Sequence, residues 1–337
     1  MNWEKDLEKN GYCVIENVLS AETCDKYIKE IWNWLESIDG SIKRDDKLTW
    51  APPHWPLSFK GIVTYPPISH TQFAWDLRDE PNIKNIYKTI WKTDDLITCF
   101  SRINITQPFD EKSSKGKSKS ASASPEYWFH TDMAVPQERG FETIQGFINL
   151  ENSTSKDAGL VVLKGSHVHH ETTFKKFLLD KMHDEERFFE ISKMITAWLI
   201  EIKGCGIVHI AAPKGAFVLW DSRTFHCNSR PTKFSKPNLW RYVEYICMVP
   251  RGWITKEELA KKHAALFEQR STGHNPHIIN LFAIKPKYAW NFDVTPFDLF
   301  REKQKLPQFT PSMLRLAGFT DDEIPIFPQL LASHKNK

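Results

Sequence analysis

The chain has 337 residues, with 45 basic and 42 acidic side chains and a net charge of +3. That length can bury a substantial core as one large domain or two small ones, and so even a charge balance gives no argument for a nucleic-acid partner. The six Cys, at 13, 24, 99, 205, 227 and 247, form no C-x-x-C and no disulfide framework, so reduced, mostly buried thiols are expected.

The first ten residues are charged and lack an apolar h-region, and no stretch approaches the roughly 20 apolar residues that span a bilayer. The end, His-Lys-Asn-Lys337, is not a peroxisomal address. A cytoplasmic protein without membrane contact is expected.

Gly11–Leu19 reads as a strand. Ser20 then caps a helix over 21–38, where Cys24, Tyr27, Ile28, Ile31, Leu35 and Ile38 recur at helical spacing. Trp32 and Trp34 fall on its flanks and are read as core. Residues 40–72, with Pro52-Pro53 and Pro66-Pro67, read as an aromatic-rich loop. Pro81–Trp91 reads as a helix and Leu96–Ile105 as a strand. Residues 112–124 hold six Ser and four Lys with no large apolar residue, so a mobile, solvated insertion is expected.

From 143 to 249 the pattern is mainly β. Strands are predicted at Thr143–Leu150, Gly159–Leu163, Gly206–Ala211, Ala216–Trp220 and Arg241–Val249, interrupted by a helix at about 184–200. After 250 the chain turns helical. Thr255-Lys-Glu-Glu258 is a capping box, and Thr310-Pro311 and Thr320-Asp-Asp-Glu323 begin shorter helices. Many short strands between Gly and Pro turns predict a mainly β fold with flanking helices, its core a double-stranded β-helix, that is, a cupin-like jelly roll. The expected organisation is a catalytic domain over 1–280 and a helical extension over 281–337 packed on it.

His130-Thr131-Asp132 and His226 carry the chemistry. Residues i and i+2 of an extended segment point the same way, so His130 and Asp132 can reach one ion, with His226 arriving from a distant strand. Two imidazoles and one carboxylate on one face suit iron(II) and leave positions open for a chelating co-substrate and O₂. A competing cluster, His167, His169 and His170, lies in a turn and is read as structural, and His209 as packed. Trp128-Phe129 makes the approach to His130 apolar.

These residues stand among others in a telling order: Gly159–His167, Pro213-Lys-Gly215, Ala216–Trp220 leading to His226, and Arg241 opening an apolar run. The order resembles the phytanoyl-CoA dioxygenase-like family of Fe(II)/2-oxoglutarate oxygenases. Further blocks, among them Phe73–Arg78, Gln145–Leu150, Leu219–His226 and Ser271–His277, resemble a microbial and fungal branch of it, with coverage from about residue 8 to 280. The Ser/Lys insertion and Cys99-Phe-Ser-Arg102 depart from the pattern.

The resemblance implies a dioxygenase that hydroxylates a small organic substrate, consuming 2-oxoglutarate and O₂ and releasing succinate and CO₂. It implies His130, Asp132 and His226 as iron ligands. Asp132 favours hydroxylation, because related halogenases lack this carboxylate. Arg241 is expected to anchor the C5 carboxylate of 2-oxoglutarate, with Arg230 as its rival, and Asn228, Ser229 and Phe147 to line the same site. Arg78, Gln145 and Arg223 are candidate substrate contacts. No basic cluster on a folded segment marks a nucleotide-phosphate site, so a CoA thioester is not favoured. Two other readings remain open, a non-catalytic jelly-roll binding protein and a cupin enzyme using another metal.

Overall fold

The computed structural model describes residues 2–109, 127–133, 143–177 and 188–335. The insertion expected at 112–124 and the first part of the helix expected from 184 lie outside the described residues. Among the described residues fourteen strands follow one another: β1 Tyr12–Ile15, β2 Leu57–Phe59, β3 Ile62–Tyr65, β4 Leu96–Thr98, β5 Ile103–Thr106, β6 His130–Thr131, β7 Ile144–Asn149, β8 Leu160–Lys164, β9 Phe189–Glu190, β10 Gly206–His209, β11 Phe217–Asp221, β12 His226–Asn228, β13 Arg241–Tyr245 and β14 Met248–Pro250. The chain divides into two compact units, Met1–Asn17 with Thr106–Arg241, and Val18–Ile105 with Tyr242–Lys337.

The first unit holds the two faces of a jelly roll. On one, β1, β11 and β7 lie side by side; on the other the order is β10-β8-β12-β6-β9. β1 with β11, β11 with β7, β10 with β8, β8 with β12, β12 with β6 and β6 with β9 all pair antiparallel. Alternation divides the side chains. His130, Val162 and His226 share one face of the second sheet, since His226 is opposite both of the others. Phe129, Val161, Leu163, Phe225 and Cys227 take the other face. There they form a buried cluster with Phe174, Ile195 and Leu199, which come from the helices His170–Lys176 and Lys193–Glu201. Burying each such side chain contributes about 1.5–3 kcal/mol, enough to fix the register that turns the imidazoles inward.

A helix missed by the sequence reading, Trp3–Asn10, precedes β1. Asn2 caps it by accepting from the Lys5 N–H, and Gly11 ends it at φ 79°. Its residues are all at least partly exposed, so it has no apolar stripe to read.

In the second unit, β13, β5, β3 and β2 are neighbours in that order, and β14 pairs with β4. The helix Ala21–Ser37 begins as expected, with Ser20 Oγ accepting from the Thr23 N–H, and it buries Trp32 and Trp34. Pro81–Trp91 is helical as read. Thr255 and Thr310 cap the helices Lys256–Phe267 and Pro311–Ala317, and Thr295–Lys303 and Phe327–Lys335 are also helical.

Two expectations are corrected here. The 40–72 segment contains the β2–β3 hairpin, whose turn residues Lys60 and Gly61 both have positive φ, as a two-residue turn requires. The long strands expected at 96–105 and 241–249 are each broken in two. Leu96–Thr98 pairs with Met248–Pro250, and Ile103–Thr106 goes to a different sheet.

Candidate metal centre

His130, Asp132 and His226 come together. One ligand atom from each lies within 4.8 Å of the others, the one such set of three among the described residues. Nε2 of His226 is 3.4 Å from Asp132 Oδ2, and Nε2 of His130 is 3.9 Å from Oδ1. β6 and β12 are antiparallel neighbours, and His130 and His226 sit directly opposite one another. The rings are 4.3 Å apart.

The tautomers follow from the backbone. Nδ1 of His226 is 2.9 Å from the Thr224 carbonyl, and Nδ1 of His130 is 3.3 Å from that of Trp128. A carbonyl only accepts, so each Nδ1 carries the hydrogen. Each Nε2 then presents a lone pair toward Asp132. This is the arrangement in which an imidazole ligates through one nitrogen while the other is held by a fixed acceptor.

Aromatic rings enclose the set. Trp128 stacks on His130 at 4.5 Å and 10° and donates its indole N–H to the Asn228 carbonyl. Phe188 lies 4.7 Å from His130, and Trp220 lies 5.3 Å from His226. Of the apolar pair expected before His130, only Trp128 faces the site. Phe129 is one residue out of phase and is buried in the outer cluster. Phe188 and Trp220 went unrecognised, because spacing alone does not bring β9 or β11 to the imidazoles.

Gln145 and Phe147 share the inner face of β7. Gln145 pairs with Trp220, and Phe147 with Val218. The Gln145 amide nitrogen donates to Asp132 Oδ2 at 2.9 Å. Gln145 therefore meets the Asp132 carboxylate directly, a different place from the substrate contact expected of it. The Phe147 and Trp220 rings are 5.9 Å apart.

Arg241 is buried, its guanidinium 5.4 Å from the Phe147 ring, with Nη2 enclosed and unpartnered among the described residues. Arg230 is exposed. A buried guanidinium nitrogen without an acceptor is costly, and it suits an anionic ligand that is bidentate and planar.

Three expectations change. Arg78 belongs to the second unit and is fully buried, donating to Glu244 at 2.6 Å and to the carbonyls of Ser69 and Ser101. It holds a core ion pair and no longer stands as a substrate contact. Arg223 donates through Nε and Nη2 to Asp221, which fixes it as a partner of the β11 terminus. Ser229 accepts from the Gly159 N–H at 3.0 Å and ties two loops together. Asn228 follows His226 by two residues on β12 and so shares its face. The competing histidines are engaged elsewhere: His167 with the Glu8 carbonyl, His170 with that of Met133, and His209 with the Tyr127 hydroxyl.

A jelly roll that turns two imidazoles and a carboxylate toward one point defines the class of two-His-one-carboxylate metal proteins. The phytanoyl-CoA dioxygenase (PhyH) family matches residues 7–232, more than half of the chain. The chain belongs to that family of Fe(II)/2-oxoglutarate-dependent oxygenases, and it is a 2-oxoglutarate-dependent oxygenase. "Ava biosynthesis cluster protein O" of Aspergillus versicolor is 27% identical over 285 residues, 82% of this chain and 86% of that protein. A "Putative phytanoyl-CoA dioxygenase" of Dictyostelium discoideum is 23% identical over 271 residues, 71% of this chain and 73% of its own. Among solved structures, the hypothetical protein JW0805 from Escherichia coli aligns with a TM-score of 0.57 at 15% identity, covering 93% of this chain and 80% of that one, a likeness of fold. No helix of the described residues is long and apolar enough to cross a membrane.

Proposed function

We propose that His130, Asp132 and His226 hold Fe(II), that Arg241 grips the distal carboxylate of 2-oxoglutarate, and that the enzyme hydroxylates a small organic molecule with release of succinate and CO₂. The observation that carries this reading is the convergence of two imidazoles and one carboxylate, with ligand atoms within 4.8 Å of one another, in the same unit as the buried Arg241, whose Nη2 has no hydrogen-bond partner among the described residues. The donor types fit iron, because imidazole and carboxylate together leave positions for other ligands.

Bound there, iron supplies the O₂ activation that side chains lack. The chain supplies geometry. Thr224 and Trp128 carbonyls hold both imidazoles in the ligating tautomer. Arg241 and the Phe147 ring orient the co-substrate, the guanidinium by charge and the ring by contact with the carbon chain. Trp128, Phe188 and Trp220 exclude water from the imidazoles, which protects a reactive site from side reactions. The name of the Aspergillus versicolor relative, a biosynthesis cluster protein, supports a small-molecule substrate.

The test is succinate formation from 2-oxoglutarate with Fe(II) and O₂, in the wild type and in His226→Ala. The wild type is expected to form succinate, and the variant to fall to background while staying folded. Wild-type turnover by His226→Ala would overturn the ligand assignment.

A further inference from the structure

Gln145 is the second residue of β7 and has no solvent exposure. It is a long polar side chain, and burying one calls for hydrogen bonds to both ends of its amide. Only one end has a partner. Nε2 donates to Asp132 Oδ2 at 2.9 Å, while Oε1 is enclosed and unsatisfied among the described residues. Turning the amide over would set its oxygen against the carboxylate, two acceptors with no hydrogen between them. The sequence thus keeps a polar residue on the inner face and leaves its carbonyl oxygen without a donor. The arrangement places one N–H on one oxygen of Asp132. Apolar residues of similar volume would fill the same space without that penalty.

We propose that Gln145 is the positioning residue of the metal carboxylate. Its amide N–H holds Oδ2 and limits Asp132 to one-point ligation. The positions that the second oxygen would otherwise occupy are kept for co-substrate and O₂. The inference rests on the metal reading given above. The backbone supports it independently. Gln145 is opposite Trp220 in the β7–β11 pairing, and the Trp220 ring packs against His226. The residue that fixes the carboxylate and the ring that backs a ligand imidazole are therefore set by one cross-strand pair.

The test uses metal-free full-length protein titrated with Co(II), read by calorimetry and by the visible absorption of the bound ion. Three variants are compared with the wild type. Gln145→Met removes both amide atoms at similar volume. Gln145→Glu removes the donor and sets an acceptor against Asp132. Gln145→Asn keeps an amide one carbon shorter. Affinity is expected to fall on the order of tenfold or more in Gln145→Met, the usual effect of losing a hydrogen bond to a ligand. It is expected to fall further in Gln145→Glu and least in Gln145→Asn. In Gln145→Met the absorption should also weaken, because a released carboxylate chelates through both oxygens and raises the coordination number.

A residue that only supports the fold would lower the melting temperature and leave the affinity of the folded molecules and the spectrum unchanged. That result overturns the proposal. If Gln145→Met does not fold, Gln145→Asn and Gln145→Glu decide it, wild-type affinity and spectrum in both being the overturning result. A wild type that binds no Co(II) overturns the metal reading along with this one, whereas a wild type that binds beside unaffected variants overturns this one alone.

Discussion

Arg241 lies against the Phe147 ring with one guanidinium nitrogen enclosed and without a hydrogen-bond partner among the described residues, while Arg230, four residues past His226, is exposed. If the proposed role holds, Arg241→Ala removes the cation from a carboxylate that stays buried. That costs about 2–5 kcal/mol of binding, so the KM for 2-oxoglutarate should rise roughly 30-fold or more. Arg241→Lys should recover part of this, since an ammonium lacks the planar fork, and Arg230→Ala should leave KM near the wild-type value. Steady-state kinetics on the three variants checks the ranking. At this scale the sequence singled out the three residues that the fold brings together, His130, Asp132 and His226, because few residue types ligate iron and the i, i+2 spacing restricts their geometry. It did not reveal what Gln145 or Arg78 touches. Alternation says which face a residue takes, but the partner of Arg78 is 166 positions away at Glu244.

Among the elements, β7 shows how closely the strands fit. Gly146 faces away from Gln145 and Phe147, toward Phe217 and Leu219 of β11. A Cβ there would lie 2.8 Å from the Phe217 ring and 3.0 Å from a Leu219 methyl. Overpacking of this kind costs typically about 1–3 kcal/mol, so Gly146→Ala should lower the unfolding free energy by about that much, seen in urea unfolding as a lower midpoint. An unchanged midpoint would show that β11 yields easily at this contact. Strands with alternating or continuous apolar residues were legible, as were helices with a polar cap. Trp3–Asn10 was missed because it has no buried face. Gln72–Asp79 was missed for the opposite reason: Phe73, Ala74, Trp75, Leu77 and Arg78 are all buried, which leaves little contrast to read. The β2–β3 turn was missed because Lys60 takes a left-handed conformation usually given to Asn, Asp or Gly.

For the whole molecule, the buried His70 and His170 and the half-buried His263 set the response to acid. Burial depresses His70 to about 3, with Arg78 and Lys262 adding to it, and it depresses His170 and His263 to about 4. His70 is a neutral tautomer by its contacts, its Nε2 donating to the Arg270 carbonyl and its Nδ1 accepting from the Trp75 indole. The unfolded chain takes up these protons near pH 6.5, and the folded chain only near 3–4. Stability is therefore intact above about pH 6.5 and falls as the pH drops below it, by up to about 1.4 kcal/mol per unit for each group. Glu244 opposes the trend. Burial pushes its carboxyl up to about 8 against the pull of Arg78, so it adds stability as the pH falls from 8 toward 4.5. Three groups outweigh one, and the urea midpoint should fall between pH 7 and pH 5. A flat or rising midpoint would mean that these histidines are not held neutral. Such burial is a property of the assembled fold, and the positions of these histidines in the sequence gave no sign of it.

The strand that carries His130 is two residues long, and its neighbour β12 is three. Neither is long enough to hold a partner by backbone pairing alone. Yet the two imidazoles face one another across that short ladder. An ion bound by both would act as a clasp between strands, and closing it would favour the folded register over every slipped one. Metal content and folding are then thermodynamically linked. Each tenfold rise in free metal above its dissociation constant adds about 1.4 kcal/mol to the stability of the protein, so metal supply would control the lifetime of the folded chain as well as its turnover.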